Sequence, residues 1–380
     1  MTYQSSIIAC EPRFAPINEN DSSDWGSHVA CEIADGEFHQ SSVRKSPGYG
    51  ISARETLKGG ATRSIRRHLS PAEMQWNRTY ESELKSTRGH APSNSRPGNP
   101  YSKLLDRHLE LLSEPEQQLA PLALYHFGLI GMHEQPKLSF APALHPLANH
   151  PRWNSVPWSS TRGTVEIADR MGLLQYHPRE WREEESGTDS VSGRYVALSW
   201  YGDFLLYLED EDGPYVIAWD CKSKPEKHGK PGVMPLARRT SAPVIAKAHA
   251  RERVYVEYMA ELGARCVQVS PPQIHKEVIC NLKRLLNLEG RPVKLPAEHM
   301  NDLKEKFQDS LKSGVSPYKI ICEYSSIHEI RLLAKCYLDQ LIWQREVRVD
   351  LFRAIEYDRS LIPEERDVLI EYAYLFKRSA

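Results

Sequence analysis

A charged pair closes an otherwise apolar run: Tyr215-Val216-Ile217-Ala218-Trp219 is followed by Asp220 and, two residues on, Lys222. Side chains alternate along a strand with a period of two, so both groups project to one face. With sixteen residues between it and that pair, Asp203 stands ahead of the run Phe204-Leu205-Leu206-Tyr207-Leu208. If the two runs fold back on each other about Asp212, reflection sets Asp203 opposite Cys221 and beside Asp220. A third carboxylate, Glu116, falls in the first turn of a helix expected from Ser113-Glu114-Pro115-Glu116. Two aspartates and a glutamate form the hard-oxygen environment that Mg²⁺ or Mn²⁺ prefers, and the ion's charge lets neighbouring carboxylates stay ionised together. Lys222 then steadies an attacking hydroxide or the charge that develops on a phosphate. The plainer uses of the same residues are a surface ion pair worth under about 1 kcal/mol and, for Glu116, a carboxylate facing the exposed amides of a helix start.

The elements that must position these groups show in the pattern around them. Aromatic and aliphatic runs at Tyr195–Trp200, Phe204–Leu208 and Tyr215–Trp219, the last two separated by an acidic turn from Glu209 to Pro214, predict strands and a hairpin. A basic loop follows, then a helix over Pro243–Leu262 and a strand over Arg265–Val269. Strand, helix and strand in that order imply a crossover and a mixed sheet. Upstream, Ser70-Pro71-Ala72-Glu73 reads as a helix start. The spacing of Leu104, Leu105, Leu109, Leu111 and Leu112 predicts an amphipathic helix, and Leu129 to Pro136 a short extended segment. Between them and the hairpin, residues 140–193 read as an insertion, Pro- and Trp-rich at first, helical over Thr164–Leu174, then an acidic loop through Glu183-Glu184-Glu185. Helices are expected over Gln273–Leu288, His299–Ser313 and Ile327–Ile342, and a strand over Val347–Leu351.

The chain of 380 residues has room for two or three domains. Its 49 Lys and Arg against 50 Asp and Glu leave a formal net charge of -1, so a nucleic-acid partner must be held by local basic clusters. Two such clusters stand out: Arg63, Arg66 and Arg67, and the loop bearing Lys222, Lys224, Lys227, Lys230, Arg238 and Arg239 against Glu226 alone. No apolar stretch approaches the length of a membrane span, and the first residues lack the pattern of a secretory signal, so an intracellular protein without a membrane partner is expected. The seven cysteines include no Cys-x-x-Cys pair, which argues against a disulfide framework or a zinc ribbon. His145 and His150 are the nearest approach to a histidine ligand pair but have no cysteine or carboxylate beside them.

Asp203 followed by Asp220-x-Lys222 fits the PD-(D/E)xK nuclease arrangement, and the chain resembles one family of that kind, the TnsA-type endonuclease subunits of bacterial heteromeric cut-and-paste transposases. Leu111-Leu112-Ser113-Glu114-Pro115-Glu116 resembles the helix start bearing that family's catalytic glutamate, with Glu134-Gln135-Pro136 after it. Asp203-Phe204-Leu205 resembles the segment of the metal-binding aspartate, and Ile217-Ala218-Trp219-Asp220-Cys221-Lys222 the strand ending in the (D/E)xK pair. Arg251–Leu262 and Cys266–Val269 resemble the helix and strand that follow, and Leu341-Ile342-Trp343 with Arg348-Val349-Asp350-Leu351 the close of a winged-helix-like domain. The likeness covers about residues 100–355. It departs at the polar extension, at the long segment between Glu116 and Asp203, at Gly202 in place of proline, and at Pro115. Glu114 and Asp106 stand as alternatives to Glu116.

The resemblance implies an α/β fold, a restriction-endonuclease-like mixed sheet flanked by helices, with a mostly helical, winged-helix-like C-terminal domain. The corresponding organisation is a polar extension over 1–98, a nuclease domain over 99–288 with the 140–193 insertion, and the C-terminal domain over 289–380. It further implies a bacterial, cytoplasmic, nucleoid-associated endonuclease that cuts double-stranded DNA at the 5′ ends of a mobile element. Glu116, Asp203 and Asp220 would hold Mg²⁺ or Mn²⁺, with Lys222 assisting. The implied partners are an RNase H-like transposase subunit and an AAA+ ATPase regulator. The alternatives are an inactive subunit of the same fold that binds DNA ends or docks the regulator, and a stand-alone restriction or repair nuclease.

Overall fold

The hairpin that carries Asp203 and Asp220 lies in the middle of a four-stranded sheet. A computed structural model of the chain describes residues 69–87, 89, 91, 95–184, 192–228 and 242–378. The Arg63, Arg66 and Arg67 cluster, Glu185, Lys230, Arg238, Arg239 and the extension up to residue 68 lie outside the described residues.

In chain order the helices are α1 (Pro71–Arg78), α2 (Glu114–Tyr125), α3 (Thr164–Arg170), α4 (Ala242–Glu261), α5 (Lys276–Glu289), α6 (Ala297–Ser313), α7 (Pro317–Tyr324), α8 (His328–Trp343) and α9 (Val368–Glu371). The short strands are β1 (Tyr101–Ser102), β2 (Arg107–His108), β4 (Lys137–Leu138) and β7 (Trp200–Tyr201). The longer ones are β3 (Leu129–Glu134), β5 (Arg179–Glu184), β6 (Ser192–Ala197), β8 (Phe204–Asp210), β9 (Gly213–Cys221) and β10 (Arg265–Val269).

The central sheet has the order β10-β9-β8-β3. β9 runs antiparallel to β8 and parallel to β10, so the sheet is mixed, as the strand, helix, strand pattern implies. Alternation along the hairpin feeds two apolar layers. Phe204, Leu206, Leu208, Ile217 and Trp219 join α2, α5 and the C-terminal helices in one, while Leu205, Tyr207, Val216 and Ala218 meet α3 and α4 in the other. Asp203 and Asp220 share the alternation of the second set, which turns them toward the α4 side.

The register differs by one residue from a fold about Asp212. The turn is Glu211-Asp212, Asp210 pairs with Gly213, and Phe204 pairs with Trp219. Continued one step, that ladder sets Asp203 against Asp220 itself. Gly213 makes the tight turn possible because its φ of +104° is a conformation that side chains disfavour.

Three other expectations fail locally. The Leu104–Leu112 stretch forms no helix. Asp106 adopts a left-handed φ of 51° in the turn between β1 and β2, and Leu105, Leu109 and Leu111 are buried from an irregular backbone instead. The acidic Glu183-Glu184 stretch is the end of β5, paired with β6, rather than a loop. Val347–Leu351 forms no strand; Val349 makes a single bridge to Pro363. Helix α7 was not expected: Ser316 caps it through Lys319 N–H and Pro317 takes the first helical position, a start signal as clear as that of α1.

Leu303, Phe307, Ile321, Leu338 and Leu341 continue the apolar layer that begins on the sheet and α5. No helix among the described residues is long and apolar enough to cross a membrane.

Candidate functional site

Lys222 follows β9 directly, and its backbone N–H continues the ladder by donating to Val269 O at 3.1 Å. That fixes the direction of its side chain, whose Nζ donates to Asp203 Oδ2 at 2.9 Å and to Asp220 Oδ1. Asp203 precedes β8 and is held by three further strands of support. Its Oδ2 accepts from Cys221 N–H at 2.6 Å, its carbonyl accepts from Gln135 N–H at 2.9 Å, and Gly202 N–H before it donates to Pro136 O at 3.0 Å. Gly202 is closely packed: a Cβ there would sit 3.0 Å from the Tyr255 hydroxyl and 3.1 Å from Pro136.

Glu116 reaches the same region from the N-terminus of α2. Ser113 caps that helix, and its hydroxyl donates to Glu116 Oε1 at 2.6 Å. Glu116 Oε2 accepts from Leu112 N–H at 2.8 Å and from Gln135 Nε2 at 2.9 Å. Gln135 thus ties Glu116 through its side chain and Asp203 through its backbone, from a left-handed conformation with φ of 44°. Its own Oε1 accepts from the Ser82 hydroxyl at 3.0 Å.

The electrostatics follow from burial and mutual charge. Burial first, then the neighbouring Asp203 carboxylate, pushes the Glu116 carboxyl up to about 7, against the pull of its hydrogen bonds and of Lys222. Burial would also raise Asp220, but Lys222 and His228 outweigh it and hold that carboxyl below the usual range. Burial works against the Lys222 ammonium, yet Asp203 and Asp220 more than offset it, so this lysine holds its proton more firmly than an ordinary one.

The structure therefore brings Glu116, Asp203, Asp220 and Lys222 to one place from three parts of the chain: the start of α2, the residue before β8, and the end of β9. The alternatives to Glu116 point elsewhere. Glu114 is exposed and accepts from Gln118, and Asp106 is engaged by Arg78 and the Tyr101 hydroxyl. Lys224 and Lys227 are exposed, the latter donating to Ser223 at 2.7 Å. His145 and His150 are packing residues away from the acidic groups: His145 Nε2 lies 3.2 Å from Leu262 O, and His150 packs edge-on against Trp76. His145 accepts from Leu147 N–H, lies against Trp158 and is pushed down to about 4 by burial, while His150 accepts from Arg152 N–H.

Three side chains at the site carry no signal in spacing or periodicity. Gln135 shows itself only within Glu134-Gln135-Pro136, the stretch that follows Glu116 in the family resemblance. His228 sits in a loop, its Nδ1 2.6 Å from Asp220 Oδ2. Tyr255 belongs to α4, where it reads as one more apolar position, but its hydroxyl is buried with no hydrogen-bond partner among the described residues.

As a donor set the three carboxylates are of the kind a hard divalent cation takes, and Lys222 supplies the positive charge between Asp203 and Asp220. Among the described residues, no group of three or more His, Cys, Asp or Glu side chains stands in an arrangement that could hold a metal ion directly. No family model matches the chain, and no curated protein matches it.

Proposed function

We propose that this protein is a divalent-metal-dependent DNA endonuclease with a PD-(D/E)xK-type site, acting as the strand-cutting subunit of a transposase at the 5′ ends of a mobile element. The observation that carries the reading is the meeting of Asp203 and Asp220 on one lysine at the sheet end, with Glu116 buried beside Asp203 and its carboxyl pushed up to about 7. A buried carboxyl destabilised by a neighbouring negative charge is a group that an added cation would favour. The donor chemistry fits Mg²⁺ or Mn²⁺ in kind, with Glu116, Asp203 and Asp220 as the residues that would hold it.

When bound, such an ion supplies Lewis-acid stabilisation of a phosphate and an acidified water. The chain's own groups supply the rest. Lys222, anchored by two carboxylates and firmly protonated, keeps a positive charge where a phosphodiester oxygen gains negative charge. Gln135 holds Glu116 and Asp203 in fixed relation, so the carboxylates are oriented before DNA arrives. The exposed Lys224 and Lys227 lie next to Lys222 in sequence and suit the phosphate backbone. A near-zero net charge suits a subunit positioned on DNA by partners, here an RNase H-like transposase subunit and an AAA+ ATPase regulator.

The test is cleavage of end-bearing duplex DNA with Mg²⁺ or Mn²⁺, with and without the partner subunits, by wild type and by Asp203→Ala, Glu116→Gln and Lys222→Ala. Loss of cutting in all three, with DNA complexes still assembled, is expected. Undiminished cutting by Asp203→Ala removes the assignment. Cutting by the wild-type chain alone, without partners, keeps the chemistry and points to a stand-alone nuclease.

A further inference from the structure

Asp220 uses both of its oxygens. Oδ1 faces Lys222, and Oδ2 faces His228 Nδ1 at 2.6 Å. The other ring nitrogen, Nε2, lies 3.0 Å from Ser270 Oγ. The imidazole is almost wholly buried, with 4 % of its side chain exposed, and Ser270 is fully buried.

Ser270 is itself immobilised. It follows β10, and its backbone N–H donates to Gln273 Oε1 at 2.6 Å, part of a reciprocal cap on the turn at Pro271–Gln273. β10 pairs with β9 so that Gln268 lies opposite Asp220 and Val269 opposite Cys221. His228, leaving the loop after β9, therefore closes a bridge from the end of β10 back to the carboxylate on β9. The donor pattern is set by chemistry: an ionised Asp220 only accepts, so Nδ1 carries a proton toward it, and in the neutral ring Nε2 then accepts from the Ser270 hydroxyl.

We propose that His228 is a positioning residue for the site, fixing the plane of the Asp220 carboxylate for a divalent cation, with Ser270 fixing the ring in turn. The inference rests on the endonuclease reading and extends it to a pair of residues outside the acidic set. Ser270 is no nucleophile in this arrangement: it is fully buried, and its hydroxyl is spent on the ring. Carboxylates that ligate metals are held by outer hydrogen bonds of this sort, and loss of such a partner weakens metal binding by about 10- to 100-fold.

The experiment is Mn²⁺ binding to the full chain, followed by electron paramagnetic resonance of the free ion, alongside the Mn²⁺ dependence of DNA cutting. His228→Ala is expected to weaken Mn²⁺ binding about 10- to 100-fold and to raise the Mn²⁺ needed for half-maximal cutting by a similar factor, while the KM for DNA changes little. His228→Asn, whose amide can donate from near the position of Nδ1, should restore most of the affinity, and Ser270→Ala should lose less than His228→Ala. These two variants carry the test if His228→Ala does not fold. If wild type binds Mn²⁺, Asp220→Ala does not, and His228→Ala with Ser270→Ala bind as wild type does, the positioning role is overturned and the endonuclease reading stands. If wild type neither binds Mn²⁺ nor cuts DNA with its partners, both fall together.

Discussion

Glu116 is caught between two opposing demands: three hydrogen bonds arranged for a carboxylate and a buried place next to Asp203 that disfavours its charge. With its carboxyl pushed up to about 7, the folded chain binds a proton there that the unfolded chain releases near the ordinary value. Between those two values the native state holds more protons, so stability falls as pH rises through that window. Without a divalent ion, wild type should lose up to about 3 kcal/mol of unfolding free energy between pH 4.5 and pH 7 from this group alone. Glu116→Gln should flatten that slope, as measured by urea midpoints across the range; an unchanged slope would show that Glu116 ionises normally. A divalent ion competes with the same proton, so Mn²⁺ binding to wild type should strengthen from pH 6 to pH 8 by more than it does in Glu116→Gln.

At the scale of elements, α1 is tied into the site through the short stretch that follows it. Asn77 Nδ2 donates to Ile130 O on β3 at 2.9 Å, the Tyr80 hydroxyl donates to Glu134 O at 2.6 Å, and Ser82 meets Gln135. Gly131 makes room for this contact, since a Cβ there would lie 2.7 Å from both Asn77 Oδ1 and the Trp76 ring. Gly131→Ala should therefore destabilise the protein by about 1–3 kcal/mol and make the stretch after α1 more sensitive to limited proteolysis; equal cleavage rates would mean that α1 packs loosely. How far such elements are legible depends on where their information lies. The β8–β9 hairpin is visible in sequence because its two apolar runs and its turn are local, and the one-residue error in register comes from placing the turn on Asp212 instead of on Glu211-Asp212. The leucines at 104–112 mislead because their spacing is helical while their burial is set by distant partners and by the left-handed Asp106. The acidic pair and Lys222 are legible for the same local reason as the hairpin. Gln135, His228 and Tyr255 are not, because each meets the site through a contact that no local pattern encodes.

The molecule as a whole couples the site to its C-terminus. Trp219, the residue before Asp220, is fully buried, and its indole N–H donates to Leu375 O at 3.1 Å, with Phe376 against its ring. At the other end of the hairpin Arg378 pairs with Asp210. Leu285 and Leu286 of α5 share one apolar layer with Phe307, Leu338 and Leu341, so a boundary drawn at residues 288 and 289 would cut through a core. Large apolar side chains buried on both sides of such a cut make its two halves interdependent. The full chain should accordingly unfold in urea with coincident transitions by tryptophan fluorescence and far-ultraviolet circular dichroism, and a chain ending after Gly290 should show no cooperative transition at all. A shorter deletion of residues 373–380 removes the Trp219 acceptor along with Leu375 and Phe376. It should lower stability by several kcal/mol, on the order of two buried large side chains, and, under the proposed endonuclease function, lower DNA cutting with it, because β9 carries both Trp219 and Asp220. Two separate transitions in the full chain, or a folded and cutting chain that stops after Gly290, would show instead that the sheet stands without the C-terminal helices.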